Sequence, residues 1–434
     1  MKKLSSFALF ANSIMMSTSL QVPSISLRTV VCSRSPPPTH QHEHEDNNSK
    51  QKSKSTSTKI EKNTIDMPII GLGTYKFKKG SGDASRAVQE ALQLKYRHID
   101  TAFIYGGEQT EREIGETLAT ITSKSDLGES ESSETSASSS TALHQHIPRS
   151  ELFLTSKQWR AYHGYDSTLE CLNKSLKRLQ VDYLDLYLIH WPGPAYSSMS
   201  RRKDLMEQSP DGPFVYAKDG HAPKELQSLR AETWRAMEDS LYEGKCRAIG
   251  VSNFTIRHLE ALKKTARIWS PAVNQIELHP YNPQTELVAF CRKEGIAVQA
   301  YASLGGQDCG KKTWHALGGK LTEREEVKSI AGKYSKTPVQ VLLRWATQQG
   351  IGVIPKSTNV NHMQMNLEAV SSNVQWDGDG DGLSENDMEL LNTLDQSYIK
   401  SSGDSDDCDH NIMKVNEKAR LCWVRDPLKM LDFE

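Results

Sequence analysis

The chain has 434 residues, of which 37% are hydrophobic, and its 53 basic residues nearly balance its 54 acidic residues. A net charge near zero gives no electrostatic argument for a nucleic-acid partner or a membrane surface, and no apolar run approaches the roughly 20 residues of a membrane-spanning helix. Length alone fits either two average domains or one α/β barrel of more than about 200 residues.

The cysteines are odd in number and scattered along the chain, and they include no Cys-x-x-Cys pair. This spacing argues against a disulfide framework and against a structural zinc site. We therefore expect reduced thiols in a soluble intracellular protein.

The first segment of the chain, residues 1–42, is basic and serine-rich and contains no acidic residue. That composition is typical of a transit peptide for a plastid or a mitochondrion, and a disordered tail on a cytoplasmic protein is the alternative. A polar linker follows to about residue 58. We predict that residues 1–58 are targeting peptide and disordered linker, and that residues 59–434 form one folded barrel.

From Lys59 onward, short apolar strands alternate with helical patterns. The predicted strands are residues 69–72, 98–102, 152–156, 183–189, 247–251, 272–276, 296–300 and 351–354. The predicted helices are residues 84–94, 169–179, 233–243, 256–265, 285–293, 325–334 and 339–348. Eight strand-then-helix units predict a closed parallel (β/α)8 TIM barrel, whose active site lies where the strands end.

A doubly wound dinucleotide-binding sheet is the structural alternative. Its Gly-x-Gly-x-x-Gly fingerprint would have to be the segment from Gly71 to Lys76, which lacks the third glycine. Gly318 and Gly319 precede a lysine, but the Ser or Thr of a phosphate loop is missing there. The barrel remains the better prediction.

Long connections divide between the two faces of the predicted barrel. Residues 120–147, which are rich in serine, join a helix to a strand, so we expect a disordered insert at the bottom face, away from chemistry. Residues 193–229 and the C-terminal extension are expected to overhang the mouth, where loops after the strands shape substrate specificity.

An acidic stretch near the C-terminus resembles a calcium loop, since Asp377, Asp379 and Asp381 take its first ligand positions. The twelfth position should carry a bidentate Glu and is Met388 instead. We interpret the stretch as an acidic turn that enters a helix at Ser384, and we predict no metal.

Polar residues stand at the carboxyl ends of the predicted strands, where they should converge on one mouth. They are Asp100 with Tyr105 behind it, Lys157, His190, Ser252, Asn253, Gln275, Tyr301, Lys356 and Ser357. A barrel interior admits few charges, so four titratable side chains at neighbouring strand ends indicate a catalytic site.

The residue types at this mouth indicate proton transfer to an oxygen. A tyrosine normally keeps its proton until about pH 10, and a neighbouring cation makes it a better acid. Lys157 can be that cation, Asp100 can hold it in place, and His190 can orient a substrate oxygen. Without a Ser or Cys nucleophile beside a base, the set suits carbonyl reduction by a hydride carrier.

From about Lys59 to the C-terminus, the chain resembles the aldo-keto reductase family. The motifs that carry the resemblance are MPIIGLGT, RHIDTAFIY, LFLTSKQW, DLYLIHWP, RAIGVSNF, NQIELHP, YASLG, VIPKS and CWVRDP. Their length, order and spacing make chance matches an inadequate explanation.

The resemblance implies a catalytic tetrad of Asp100, Tyr105, Lys157 and His190, with Tyr105 as the general acid. It also implies that Tyr301 stacks on the nicotinamide and that Lys356 and Ser357 grip the 2′-phosphate of NADPH. The other implied cofactor contacts are Gly73, Thr74, Tyr75, Ser252, Asn253, Gln275, Leu304, Thr358, His362 and Asn366. Tyr75, His190 and Trp191 are the implied substrate contacts.

The chain departs from the family pattern at the phosphate clamp, where His362 takes the place of a frequent Arg and Met365 that of a frequent Glu. A neutral His offers one donor where Arg offers a charged fork. We predict that NADPH is preferred, with NADH as a weaker alternative. Tyr75, Gly107 and Ala302-Ser303 also differ from commoner residues, which bears on substrate fit.

The predicted protein is thus an NADPH-dependent aldehyde or ketone reductase, acting as a monomer on a small carbonyl substrate. A non-catalytic, cofactor-sensing barrel that regulates a larger assembly is the alternative. The complete tetrad argues against that alternative.

Overall fold

The computed structural model describes residues 20–32, 60–122, 146–193, 224–306, 319–376, 382–395, 398–399 and 414–415. Its strands are β1 (Ser24–Cys32), β2 (Ile60–Pro68), β3 (Leu72–Gly73), β4 (His98–Asp100), β5 (Phe153–Gln158), β6 (Leu184–Ile189), β7 (Cys246–Ser252), β8 (Val273–Glu277), β9 (Ala297–Tyr301), β10 (Gly352–Val353), β11 (Tyr398–Ile399) and β12 (Lys414–Val415).

Strands β3 to β10 form one parallel sheet in chain order. A parallel bridge between Ile70 and Val353 joins its two edges, and the amide of Gly71 donates to the carbonyl of Val353 at 2.9 Å. The sheet therefore curls into a closed ring, and the prediction of eight parallel strands is confirmed.

Within the described residues, ten α-helices connect or follow these strands. They are α1 (Asp83–Gln93), α2 (Gln109–Thr122), α3 (Tyr165–Leu179), α4 (Lys224–Tyr242), α5 (Ile256–Lys263), α6 (Thr285–Glu294), α7 (Glu325–Lys333), α8 (Pro338–Gln348), α9 (Val360–Val370) and α10 (Glu385–Asn392). The sequence predicted a helix before the serine-rich insert, which is α2, without giving its bounds, and it did not predict α9. Ser384 caps α10 through the amide of Asp387, as the acidic-turn interpretation required.

The register of the parallel strands aligns their carboxyl ends. Asp100 pairs with Thr155, and Lys157 pairs with Leu188 one strand further along. Ser252 pairs in the same way with Gln275. Because adjacent strands run in the same direction, these residues form one rim of the barrel.

An antiparallel hairpin of β1 and β2 covers the opposite end of the barrel. Leu27 and Met67 are fully buried there, and the hydroxyl of Thr29 donates to the carbonyl of Arg247 at 2.6 Å. Strand β1 lies in the stretch that the sequence analysis assigned to targeting peptide and linker, so the structure differs from that assignment for residues 24–32. Between Cys32 and Ile60, which are paired at the end of the two strands, lie 27 residues, and no local sequence pattern predicts this pairing.

The described residues at the two ends of the serine-rich insert lie next to each other. The amide of Ile147 donates to the carbonyl of Ile121 at 3.2 Å, and His146 contacts the carbonyl of Thr122 at 3.1 Å. The junction lies before β5, at the amino ends of the strands. Residues 123–145, most of the loop at 193–229, residues 377–381 and the CWVRDP motif lie outside the described residues.

In the stretches that the structure describes, no helix is both long and apolar enough to span a bilayer.

Candidate active site

A buried ion pair lies at the centre of the barrel mouth. The Nζ of Lys157 lies 2.5 Å from Oδ1 of Asp100, and it also donates to the carbonyl of Thr101 at 2.9 Å. Burial lowers the pKa of Lys157, and the adjacent carboxylate of Asp100 opposes that effect. The carboxylate therefore keeps a proton on an ammonium group that is fully withdrawn from water.

The phenol of Tyr105 lies beside this ammonium group. Lys157 Nζ is 3.4 Å from Tyr105 Oη and 5.0 Å from the centre of its ring. A cation at this distance is placed to stabilise negative charge on the phenol oxygen. Lys157 of β5 thus contacts both the carboxylate of Asp100 and the phenol of Tyr105, which the sequence predicted to lie at the same mouth.

His190 completes the group from the end of β6. Its ring lies 5.8 Å from that of Tyr105, and Nδ1 has no hydrogen-bond partner among the described residues. Burial, with the nearby cations Lys157 and Arg160, holds the pKa of His190 well below its usual value. A neutral imidazole at this place can donate a hydrogen bond to a substrate oxygen but carries no charge.

The turn that carries Tyr105 has an unusual backbone. Residues Tyr105–Glu108 form a 3-10 helix in which Gly106 and Gly107 have φ values of 58° and 60°. A side chain at Gly106 would also lie 2.5 Å from the hydroxyl of Thr110. Glycine at these positions lets the chain turn back, so that the phenol faces the mouth.

Asp100 has a second hydrogen-bond partner across the barrel. Nε2 of Gln275 donates to Oδ2 of Asp100 at 2.8 Å and to Oε1 of Gln299 at 2.6 Å. The sequence analysis assigned Gln275 to the cofactor and did not foresee this contact. Together with Lys157, it leaves Asp100 bound through both carboxylate oxygens.

Three further predicted residues join in a chain beside His190. The side-chain amide of Asn253 donates to the backbone carbonyl of His190 at 2.9 Å and to the hydroxyl of Ser252 at 3.1 Å. Tyr301 in turn donates to Oδ1 of Asn253 at 2.6 Å. This hydrogen bond holds the hydroxyl end of the Tyr301 side chain in place. Leu304, in the turn that follows β9, is partly buried against the core.

At Gly73, strand β3 lies very close to the residue that follows β10, Ile354. A Cβ there would lie 2.4 Å from the carbonyl oxygen of Ile354, so only glycine fits. The hydroxyl of Thr74 donates to the carbonyl of Asp100 at 2.9 Å. Tyr75 is exposed, and its ring lies 5.1 Å from that of Tyr105.

A separate group of predicted residues surrounds the start of α9. Ser357 accepts from the amide of Asn359 at 3.0 Å, and Asn359 caps the helix by accepting from the amide of His362 at 3.1 Å. Lys356 and Thr358 are exposed just before this N-terminus, whose partial positive charge favours an anion. His362 is exposed and Asn366 is buried.

Two tryptophans lie beside His190, Trp191 as its neighbour in the chain and Trp159 as its neighbour in space. Trp191 is buried, with the guanidinium of Arg160 5.5 Å from its ring. Trp159 lies 5.6 Å from the ring of His190, and the sequence analysis missed it. Its place two residues after Lys157 in the LFLTSKQW motif could have revealed it.

The matched family model is described as the aldo/keto reductase family, and it covers residues 69–377. The chain is 36% identical over 342 residues to an aldo/keto reductase of Synechocystis sp., covering 79% of this chain and 90% of the relative. It is 35% identical over 334 residues to a glyoxal reductase of Bacillus subtilis, covering 77% and 91%.

A solved structure is similar as well. The crystal structure of a Bombyx mori aldo-keto reductase in complex with NADP has a TM-score of 0.56 and 30% identity, and the match covers 76% of this chain and 90% of that one.

Proposed function

Since the chain belongs to the aldo/keto reductase family, its reaction is the reduction of a carbonyl group, and we propose that Tyr105 is the general acid. The observation that carries this proposal is the contact of Tyr105 Oη with a buried ammonium group that Asp100 holds in place. That arrangement supplies a proton donor without a nucleophile.

The four residues of the tetrad have different proposed roles. His190, held neutral by burial, donates a hydrogen bond to the substrate oxygen and sets its position. Tyr105 gives its proton to that oxygen, and the positive charge of Lys157 stabilises the phenolate that remains. Asp100 keeps Lys157 charged, and solvent returns a proton to Tyr105 after the alcohol leaves.

The residues around the mouth fit a nicotinamide dinucleotide. Asn253, Ser252 and Tyr301 present amide, hydroxyl and aromatic groups beside His190. When bound, NADPH supplies the hydride for the carbonyl carbon.

The start of α9 is the proposed site for the 2′-phosphate. Lys356 offers a charge, Ser357 a hydroxyl, and the helix N-terminus a set of amides. His362 stands on the first turn of this helix, where an Arg would add a permanent charged fork. We therefore propose a preference for NADPH over NADH that rests mainly on Lys356.

We propose a small carbonyl compound as the substrate. The B. subtilis relative is called a glyoxal reductase, which makes short aldehydes and dicarbonyls a first choice for assay. A monomer and an alcohol dehydrogenase of the NADP+ type are our expectations. Organelle targeting, if present, must spare strand β1, so the removable part would end before about residue 20.

The regulatory alternative has no observation in its favour, since the relatives reported above bear the names of reductases. The deciding test follows NADPH oxidation at 340 nm with a panel of aldehydes and ketones. Turnover with at least one member supports the proposal. Absence of turnover with the whole panel, from protein that still binds NADPH, contradicts it.

A further inference from the structure

A second buried ion pair lies behind the mouth and is not used by the reaction described above. Glu111 of α2 and Arg178 of α3 are both buried, and their side chains lie 3.2 Å apart. Each is also bound to a segment that carries a proposed catalytic residue. The pair therefore connects two parts of the site that are distant in sequence.

On one side, the pair contacts the strand of the lysine. The hydroxyl of Ser156 donates to Oε1 of Glu111 at 2.7 Å, and Ser156 is the neighbour of Lys157 on β5. Burial raises the pKa of Glu111, while Ser156 and Arg178 favour its charged form. The carboxylate in turn helps Lys157 to keep its proton. Glu111 thus acts on Lys157 through the strand and through its charge.

On the other side, the pair contacts the turn of the tyrosine. Arg178 lies 2.8 Å from Oε1 of Glu108, the last residue of the Tyr105–Glu108 turn. It also lies 3.5 Å from the carbonyl of Phe103 and 4.1 Å from the centre of the Phe103 ring. Arg178 thus holds the turn on both sides of Tyr105.

We propose that Glu111 and Arg178 are positioning residues, which hold the turn of Tyr105 against the strand of Lys157 and set the charge around both. This inference rests on the proposed roles of Tyr105 and Lys157. A buried pair costs desolvation and is weak evidence for stability by itself. Its contacts with the two segments that carry Tyr105 and Lys157 give it a functional explanation.

Removing one or the other charge of the pair is expected to shift the pH dependence of kcat in opposite directions. Removing the negative charge of Glu111 makes proton loss easier for both Tyr105 and Lys157, so the alkaline limb of kcat for reduction moves to lower pH. Removing the positive charge of Arg178 moves it to higher pH. A purely structural defect would lower kcat in both variants without opposite shifts.

The experiment compares Glu111→Gln and Arg178→Met in the full-length protein. We expect kcat to fall in both, with KM little changed, and the alkaline limb to move in opposite directions by about half a unit to one unit. Arg178→Lys keeps the charge but cannot span both contacts, so its kcat should fall while the limb stays in place.

Matched controls use the same substitutions at exposed positions of the same helices. Glu116→Gln on α2 and Lys177→Met on α3 should leave kcat and the pH profile unchanged. NADPH quenching of tryptophan fluorescence, measured for each variant, shows whether the barrel is folded.

Unshifted or parallel pH profiles in folded Glu111→Gln and Arg178→Met protein would overturn the inference. If Tyr105→Phe nevertheless abolishes turnover, the proposed function stands and only the positioning role fails. If Tyr105→Phe keeps a near-normal rate, the proposed function fails first.

Discussion

Oδ1 of Asp100 and Nζ of Lys157 lie 2.5 Å apart at the end of two neighbouring strands, and both side chains are fully buried. Neither charge is stable there alone, because burial without a partner costs several kcal/mol. The positive charge of Lys157 therefore depends on Asp100, and this charge lies 3.4 Å from the phenol oxygen of Tyr105.

The first prediction concerns Asp100. In Asp100→Asn the ammonium loses its counter-charge, so the pKa of Lys157 falls further and the alkaline limb of kcat moves to lower pH. Breaking a buried pair should also lower the free energy of unfolding by about 3–5 kcal/mol. A pH–rate profile and urea denaturation measure the two effects, and wild-type behaviour in both would refute the assignment.

The second prediction concerns Tyr105. Tyr105→Phe removes the proton donor while keeping the ring, so kcat should fall by about 10²-fold to 10⁴-fold. NADPH should still quench tryptophan fluorescence. Tyr165→Phe is the matched control, because its hydroxyl contacts Asp239 on the outer helices. A Tyr105→Phe enzyme with near-normal kcat would rule out this residue as the acid.

The third prediction concerns the phosphate clamp. His362→Arg adds a charged fork on the first turn of α9, so the ratio of kcat/KM for NADPH over NADH should rise by about tenfold. Lys356→Met should lower the same ratio. His146→Arg, at the bottom of the barrel, is the control for added charge. Equal kcat/KM values for NADPH and NADH in the wild type would contradict the proposed preference.

The fourth prediction concerns the hairpin at the bottom of the barrel. Leu27 of β1 is fully buried, so Leu27→Ala should lower the free energy of unfolding by about 2–5 kcal/mol. The loss should leave kcat/KM nearly unchanged, because the mouth is at the opposite end. Ser24→Ala, at an exposed position of the same strand, should have little effect. An unchanged melting temperature for Leu27→Ala would show that β1 does not stabilise the barrel.

The fifth prediction concerns acid stability. Burial lowers the pKa of His98 to about 4 and that of His163 to about 3. Both values lie below the unfolded value of about 6.5, so the unfolded chain binds more protons as the pH falls. The stability of the neutral, buried forms is therefore complete above about pH 6.5 and is lost progressively below it.

Between pH 6 and pH 5, each of these histidines should lower the free energy of unfolding by about 1.2 kcal/mol. Urea denaturation at both pH values gives the slope, and His98→Asn should reduce it by about the share of one histidine. A stability that is flat across this window would exclude the buried neutral state.

The sequence by itself determined the eight strands and their carboxyl-end residues. Apolar runs with helices between them leave few folds, and parallel strands in chain order bring Asp100, Lys157 and His190 to one rim. That reasoning needs only local patterns, since the topology converts separate strand ends into one mouth. The turn from Asp100 to Tyr105 is also local.

Only the tertiary structure decided the contacts that depend on distant segments. Gln275 binds Asp100 across the barrel, and Glu111 meets Arg178 from a helix that local periodicity did not reveal. Strand β1 finds its partner in β2, beyond a long intervening stretch. In each case the two partners come together only when the barrel packs in three dimensions. The favourable burial that holds them depends on residues far away in the chain, so the residues next to them in sequence do not predict it.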